Sequence, residues 1–335
     1  MSKWPKRVTV IDVTPRDGLQ DAKGTLRTEE KIRLVGELYR AGVPEVEVTS
    51  FVSPRWVPRL ADAEAVAQAV RHHPGNIGLI PNRKGYDRAV QAGIRAVTFV
   101  VSASPRHQED NLRMPLERSL EELRQIAEAA GSARRGADGA GTDGTRTDGA
   151  GTGSPAPRLQ TGPVPGLDPG AGRPVLRGAI SCAFGSPYPE EDIRPETVAW
   201  VAEALAACGV AEIGLADTVG VGTPERVASV IDAVRSALPR MPLVLHLHDR
   251  WGLALANVTV ALERGVTRFE TALGGLGGCP FAPNAPGNLD TETFVGWMNR
   301  MGIETGIDLA ALAETRTWLL QTLRASAEAD VRSAP

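Results

Sequence analysis

No run of about 18 apolar residues occurs in the sequence, which excludes a helix able to cross a bilayer. Cysteine is scarce. Three in 335 residues, Cys182, Cys208 and Cys279, cannot build a disulfide framework and point to a reducing compartment, read here as the cytoplasm. Neither sign of charge dominates. The 37 basic and 40 acidic side chains leave a net charge of −3, so electrostatics give no reason to expect nucleic acid or an anionic membrane as partner. The glycine run at 274–278 is not followed by Gly-Lys-Ser/Thr, which excludes a Walker phosphate loop. The opening residues pass directly into strand-like Val8–Val13, so no signal or transit peptide is expected ahead of it.

Apolar content is also missing from one internal stretch. Residues 131–173 hold 12 of the 36 glycines and 5 of the 25 prolines, with only Leu159, Val164 and Leu167 as large aliphatics. Such a stretch cannot bury enough surface to offset its ordering entropy, so it is expected to be a disordered, tolerated insert. Outside it, short Val- and Ile-rich runs alternate with helical patterns. The strand candidates are Val8–Val13, Val46–Thr49, Ile77–Ile80, Ala96–Val101, Val175–Ala183, Ala211–Leu215, Leu243–His248 and Arg268–Leu273. Helical patterns cover 28–41, 61–71, 83–92, 116–130, 195–208, 223–237, 252–264, 291–301 and a terminal 308–325. Eight βα units in a row predict an α/β fold, a TIM (β/α)8 barrel with an added C-terminal helix. Residues 1–130 would form its first half and 174–325 its second. The insert then falls in an αβ loop, on the face away from the active site.

Reactive residues of such a barrel sit at the C-terminal ends of its strands. Those ends carry Arg16-Asp17 after the first strand, Asp217 after the sixth and His246-Leu247-His248-Asp249 on the seventh. After the eighth come Gly274 to Pro280 and then Gly287-Asn288. Residues i and i+2 of a strand share a face, so His246 and His248 project together. Alone, the pair fits metal ligands and hydrogen-bonded core histidines equally well. Strands 7, 8 and 1 are neighbours in a closed barrel, which brings Asp17 and Asn288 within reach. Two imidazoles with carboxylate and amide oxygens suit a hard or borderline divalent ion. Arg16 reads either as a rim salt bridge or as a fixed cation for a developing enolate oxygen. Cys279 reads as a small core residue or as a thiol on a loop that folds over substrate. Cys182 and Cys208 read as packing residues, and His72, His73 and His107 as surface.

The segments Thr14-Pro15-Arg16-Asp17-Gly18-Leu19-Gln20, Glu47-Val48-Thr49-Ser50-Phe51-Val52-Ser53-Pro54, His246-Leu247-His248-Asp249 and Gly275-Leu276-Gly277-Gly278-Cys279-Pro280-Phe281 resemble the 3-hydroxy-3-methylglutaryl-CoA lyases. These belong to a metal-dependent barrel family that also holds isopropylmalate synthase. The resemblance runs from Val8 to about Leu323, the insert excepted. It implies Mg²⁺ or Mn²⁺ on Asp17, His246, His248 and Asn288. It also implies Arg16 at the thioester enolate, Cys279 on a mobile catalytic loop, and Gln20, Glu47, Ser50, Asp217 and Glu292 lining the site. An acyl-CoA is the implied substrate, and the resemblance leaves room for a homodimer. Four places depart from the family pattern: Asp21-Ala22 for Asn-Glu, Gly214 for Ser, Asn111-Leu112-Arg113 for Asn-x-Asn, and Asp249-Arg250-Trp251-Gly252-Leu253 for Asp-Thr-Tyr-Gly-Gln.

The implied chemistry is retro-Claisen cleavage to acetyl-CoA and a keto acid, with Asp17 or His246 as base and Cys279 or His246 as proton donor. A condensing synthase would run the same bond in reverse, and would usually carry a C-terminal regulatory domain. About 30 residues follow the last barrel helix, so that domain is not expected. A catalytically dead binding barrel would be expected to have lost one of Arg16, Asp17, His246, His248, Cys279 or Asn288.

Overall fold

The computed structural model describes residues 4–131, 173–278 and 287–333. Eight parallel strands close a barrel in chain order. They are β1 (Thr9–Asp12), β2 (Glu45–Ser50), β3 (Asn76–Ile80), β4 (Ala96–Ser102), β5 (Val175–Ser181), β6 (Glu212–Asp217), β7 (Leu243–Leu247) and β8 (Arg268–Thr271). All eight expected strands are present. Between and after them run α1 (Thr28–Arg40), α2 (Ala63–Val70), α3 (Arg83–Gln91), α4 (Pro105–Leu112), α5 (Leu116–Ala130), α6 (Pro195–Ala207), α7 (Pro224–Ala237), α8 (Ala254–Glu263), α9 (Thr291–Arg300) and α10 (Leu309–Ser333). The expected disorder of the insert concerns residues outside the described ones, apart from its edges at Gly131 and Arg173.

Local chemistry explains where the helices begin. Asn82, Ser104, Thr223 and Asp290 each accept a backbone N–H three residues on, and proline occupies the first turn of α4, α6 and α7. Helix α4 is the one the sequence reading missed. Its residues PRHQEDNL have almost no apolar period, so only the Ser104-Pro105 start announces it. His107 lies inside α4 and is buried, with Nδ1 3.1 Å from Ser102 Oγ, which corrects its assignment to the surface. Helix α10 runs to Ser333, past the expected end near 325.

Two different layers pack on the strands. Outward-facing residues such as Val10, Val46, Val97, Ile213 and Phe269 join the helices in one large apolar core. The lumen holds a small apolar cluster around Ile11, Val13, Ile77 and Val244. At the N-terminal end of the barrel it also holds a buried charge network. Arg268 donates to Glu45 at 2.7 and 2.9 Å and to Glu212 at 2.8 Å, and Arg177 pairs with Glu212 as well. This network forms the floor beneath the site.

Candidate functional site

The chain leaves β1 in one wide helical turn, Thr14–Gly18, in which the N–H groups of Arg16, Asp17 and Gly18 converge on the carbonyl of Val13 at 3.2, 2.8 and 3.2 Å. Buried Asp12 anchors the turn by accepting the Thr14 N–H at 2.9 Å and the Thr291 hydroxyl at 2.9 Å. The turn delivers Arg16 and Asp17 side by side at the C-terminal mouth. Arg16 Nε donates to Glu47 of β2 at 2.5 Å and its Nη1 to Asp17. Burial disfavours the guanidinium charge, but Glu47 and Asp17 outweigh that and hold it well above its ordinary range.

Asp17, His246 and His248 bring one ligand atom each to within 4.8 Å of the others. The two imidazoles lie 5.2 Å apart, centre to centre. The segment beyond β8 returns to pair with β7, through Leu289 N–H to Leu247 O at 2.9 Å and Asp249 N–H to Gly287 O at 3.0 Å. That return places Asn288 beside the cluster. Its Nδ2 donates to Asp17 at 2.7 Å and to the Leu276 carbonyl at 2.8 Å. Gly277 makes this approach possible. It adopts φ +110°, and a Cβ there would fall 2.3 Å from Asn288 Nδ2 and 3.1 Å from Asp17 Oδ2.

The donor set fits a divalent ion. Asn288 Oδ1 and His248 Nδ1 are buried with no hydrogen-bond partner among the described residues, an arrangement that is costly unless something else completes them. Electrostatics favour the same reading. Burial would raise the Asp17 carboxyl, but Arg16 and both histidines bring it down to about 2, so it is ionised. His248 is pushed down to about 4 by burial and by His246, so it is a neutral imidazole with a lone pair to give. His246 moves the other way: burial would lower it, and its bond to Glu270 and the nearby Asp17 raise it. Mixed nitrogen and oxygen ligands without thiolate suit Mg²⁺ or Mn²⁺.

The remaining candidates divide. Glu47 touches Arg16. Asp217 ends β6, accepts the N–H groups of Val221 and Gly222 at 3.0 and 3.1 Å, and is raised by burial to about 6. Ser50 is buried at the end of β2, and Gln20 is half-buried beyond the Asp17 turn. Glu292 lies in the first turn of α9 and pairs with Arg316 of α10 at 2.5 Å, outside the Asp17 cluster. Cys279 lies outside the described residues. Cys182, expected within the fifth strand, stands just past β5 at φ 56°, buried, where its N–H donates to Thr218. Sequence reasoning missed Glu270, which accepts from His246 Nδ1 at 3.0 Å, and Arg177 behind it. Charges at Arg268 and Glu270, two apart in a short buried strand, were the available signal that this face looks into the lumen.

Comparison with known proteins agrees with this geometry. The chain is 37% identical to the mitochondrial hydroxymethylglutaryl-CoA lyase of Gallus gallus, over 99% of this chain and 98% of that one. It is 36% identical to the 3-hydroxy-3-isohexenylglutaryl-CoA/hydroxy-methylglutaryl-CoA lyase of Pseudomonas aeruginosa, over 92% and 91%. A solved hydroxymethylglutaryl-CoA lyase from Acinetobacter baumannii, in complex with coenzyme A and 3-methylmalate, superposes with a TM-score of 0.79 at 35% identity, covering 96% of this chain and 93% of that one. One expectation is corrected by these relatives. The G. gallus enzyme and its Mus musculus and Homo sapiens counterparts are mitochondrial, which overturns the cytoplasmic reading. Scarce cysteine excludes a disulfide framework but does not separate one reducing compartment from another. The HMGL-like family model matches residues 7–319, and with relatives this similar along nearly its whole length the chain belongs to the HMGL-like family.

Proposed function

We propose that the protein cleaves the C2–C3 bond of 3-hydroxy-3-methylglutaryl-CoA, releasing acetyl-CoA and acetoacetate. The observation that carries this reading is the Asp17–His246–His248 cluster with Arg16 bonded to its carboxylate, at the mouth of a barrel of this family. A bound Mg²⁺ or Mn²⁺ supplies Lewis acidity, which lowers the pKa of a tertiary hydroxyl. Asp17, His246, His248 and Asn288 would hold the ion. An imidazole that gives Nε2 to the ion and holds its Nδ1 proton against Glu270 has no lone pair left, whereas Asp17 keeps a second carboxylate oxygen. Of the two candidate bases, Asp17 is therefore the one able to take the hydroxyl proton while both hold the ion. Arg16 keeps its guanidinium plane fixed between Glu47 and Asp17, with N–H groups left over for the oxygen of the departing thioester enolate. Proton return to that enolate falls to Cys279, the candidate donor outside the ligand set. A CoA thioester as substrate is supported by the coenzyme A bound in the A. baumannii relative.

At two of the four departures from the family pattern the side chains are exposed. Arg113 is exposed and stacks 3.7 Å from the centre of the Trp56 ring, Trp251 is 72% exposed under Arg250, and Leu253 also reaches solvent. Gly214 faces Ala179 and leaves room for little more than a methyl. This supports a methyl at C3 as the preferred branch. The test is a panel of CoA esters with Mn²⁺, read as acetyl-CoA release. Expected are turnover of the methyl substrate and kcat/KM falling steadily as the C3 branch lengthens. Acetyl-CoA consumption with a 2-oxo acid, and no cleavage, would overturn the lyase reading. A tenfold preference for a longer branch would overturn the methyl assignment.

A further inference from the structure

His246 and Glu270 are register partners on adjacent strands β7 and β8. Alternation along β8 turns Phe269 outward, where it packs at 5.1 Å on Phe294 of α9, and so turns Glu270 into the lumen. A slip of one residue would lose both contacts. The two oxygens of Glu270 have separate tasks. Oε2 is 3.0 Å from His246 Nδ1, and Oε1 is 3.3 Å from Arg177 Nη2. Arg177 is itself fixed to Glu212, which is bonded to Arg268 and through it to Glu45. A continuous line of buried ion pairs therefore rises from the barrel floor and ends on one ring nitrogen of one imidazole.

We propose that Glu270, clamped by Arg177, is the positioning residue that fixes His246 as a metal ligand. It accepts a hydrogen bond from the Nδ1–H, which keeps the proton on that nitrogen and leaves the Nε2 lone pair free for the ion. The inference rests on the metal reading above but not on the identity of the substrate. A neutral imidazole has one N–H and one lone pair, and the partner of one nitrogen decides which tautomer the other presents. A carboxylate behind a ligating histidine also raises its basicity, and loss of such a partner typically weakens metal binding about 10- to 100-fold. His248, the other imidazole of the cluster, has no such carboxylate among the described residues: its Nδ1 is buried and unpartnered. The two histidines are thus unequal ligands, and His246 is the one whose orientation is built into the strand register.

The test is Mn²⁺ binding without substrate, by electron paramagnetic resonance of the free ion, on the full chain. Glu270→Gln keeps the shape and removes the charge, and its Mn²⁺ Kd is expected to rise 10- to 100-fold. Glu270→Asp restores charge at shorter reach and should recover at least a third of that loss on a logarithmic scale. A Glu270→Gln protein that binds Mn²⁺ within threefold of wild type overturns the proposal, as does an aspartate variant no better than glutamine. A second measurement needs no variant: nitrogen-15 NMR of the wild-type histidines without metal, at a pH high enough for His246 to be neutral, should show it protonated at Nδ1, and an Nε2-protonated tautomer overturns the assignment. Acetyl-CoA release is absent from both readouts, so a failed lyase assay and a failed positioning role would be told apart.

Discussion

Replacing Arg16 by lysine keeps one positive charge and removes the planar fork. In the folded protein Nε is committed to Glu47 at 2.5 Å and Nη1 to Asp17. Three of the five guanidinium N–H bonds then remain for a developing enolate oxygen, already aimed and already desolvated. An ammonium carries its three donors on one atom, which cannot span Glu47 and Asp17 and also reach substrate. Losing one preorganised donor at a developing oxyanion costs about 3–4 kcal/mol, or roughly 10²- to 10³-fold in kcat. Ground-state binding of the CoA ester should change much less, so KM is expected to stay within about fivefold. The assay is steady-state cleavage at saturating Mn²⁺, with the Mn²⁺ Kd measured in parallel. Retention of more than about a tenth of wild-type kcat would refute the role given to Arg16. So would a loss of activity that excess Mn²⁺ fully restores, because Arg16 would then act only by holding Asp17.

Chelation should abolish turnover and Mg²⁺ or Mn²⁺ should restore it, while His246→Ala should lose several orders of magnitude in kcat with the fold retained by circular dichroism. Full activity in metal-free protein would refute the chemistry. Exchange of residues 132–172 for a short Gly/Ser link should leave kcat/KM within about threefold, since loop closure costs vary slowly with length. The ends support this: a Cβ on Gly131 would lie 3.2 Å from the Arg173 guanidinium. A collapse of activity or solubility would show the segment to be a working part. Asp12 predicts a pH effect on stability. Burial raises its carboxyl from 3.8 to about 6, so the folded state favours the protonated form. That contribution is complete below pH 3.8 and is lost as pH rises through 6. The shift is worth about 3 kcal/mol. Asp12→Asn cannot ionise and should therefore gain on wild type by up to that amount between pH 4 and 7, in urea unfolding measured across the range. A constant difference would show that Asp12 does not titrate there.

The barrel was legible because a strand buried on both faces reads as a short aliphatic run, and the βα alternation leaves few other closures. Asp17, His246, His248 and Asn288 were legible because barrel order turns residues 271 apart into neighbours. The lumen charges were not. Glu45 and Arg268 are separated by 223 positions in sequence and meet only because barrel closure sets β8 and β2 on either side of β1, so no local pattern pairs them. Nor does sequence fix which side chains turn outward. Arg113 stands in the left-handed region at φ 57° as the residue ending α4, and this turns it to Trp56 instead of inward. Glu292 shows the same limit, for its helix position is right but Arg316, on a helix that arrives later, claims its carboxylate.

The buried charges also explain why the site can be both rigid and polar. A buried ion pair seldom stabilises a fold relative to well-packed apolar residues, because desolvation cancels much of the attraction. Here the apolar requirement is met elsewhere, by the outer layer in which Val10, Val46, Val97, Ile213 and Phe269 pack against the helices. The lumen is therefore free to hold Glu45, Arg268, Glu212, Arg177 and Glu270 in one bonded line. Each member needs its neighbours, so removing any one leaves an uncompensated charge in a site of low dielectric. That interdependence fixes geometry more than it adds stability. It ends at His246, where a metal site needs an imidazole held at one angle and in one tautomer. The family's chemistry then depends on two anchors from opposite directions: the Val13 turn that carries Arg16 and Asp17 down onto the mouth, and the charge line that holds His246 up from the floor.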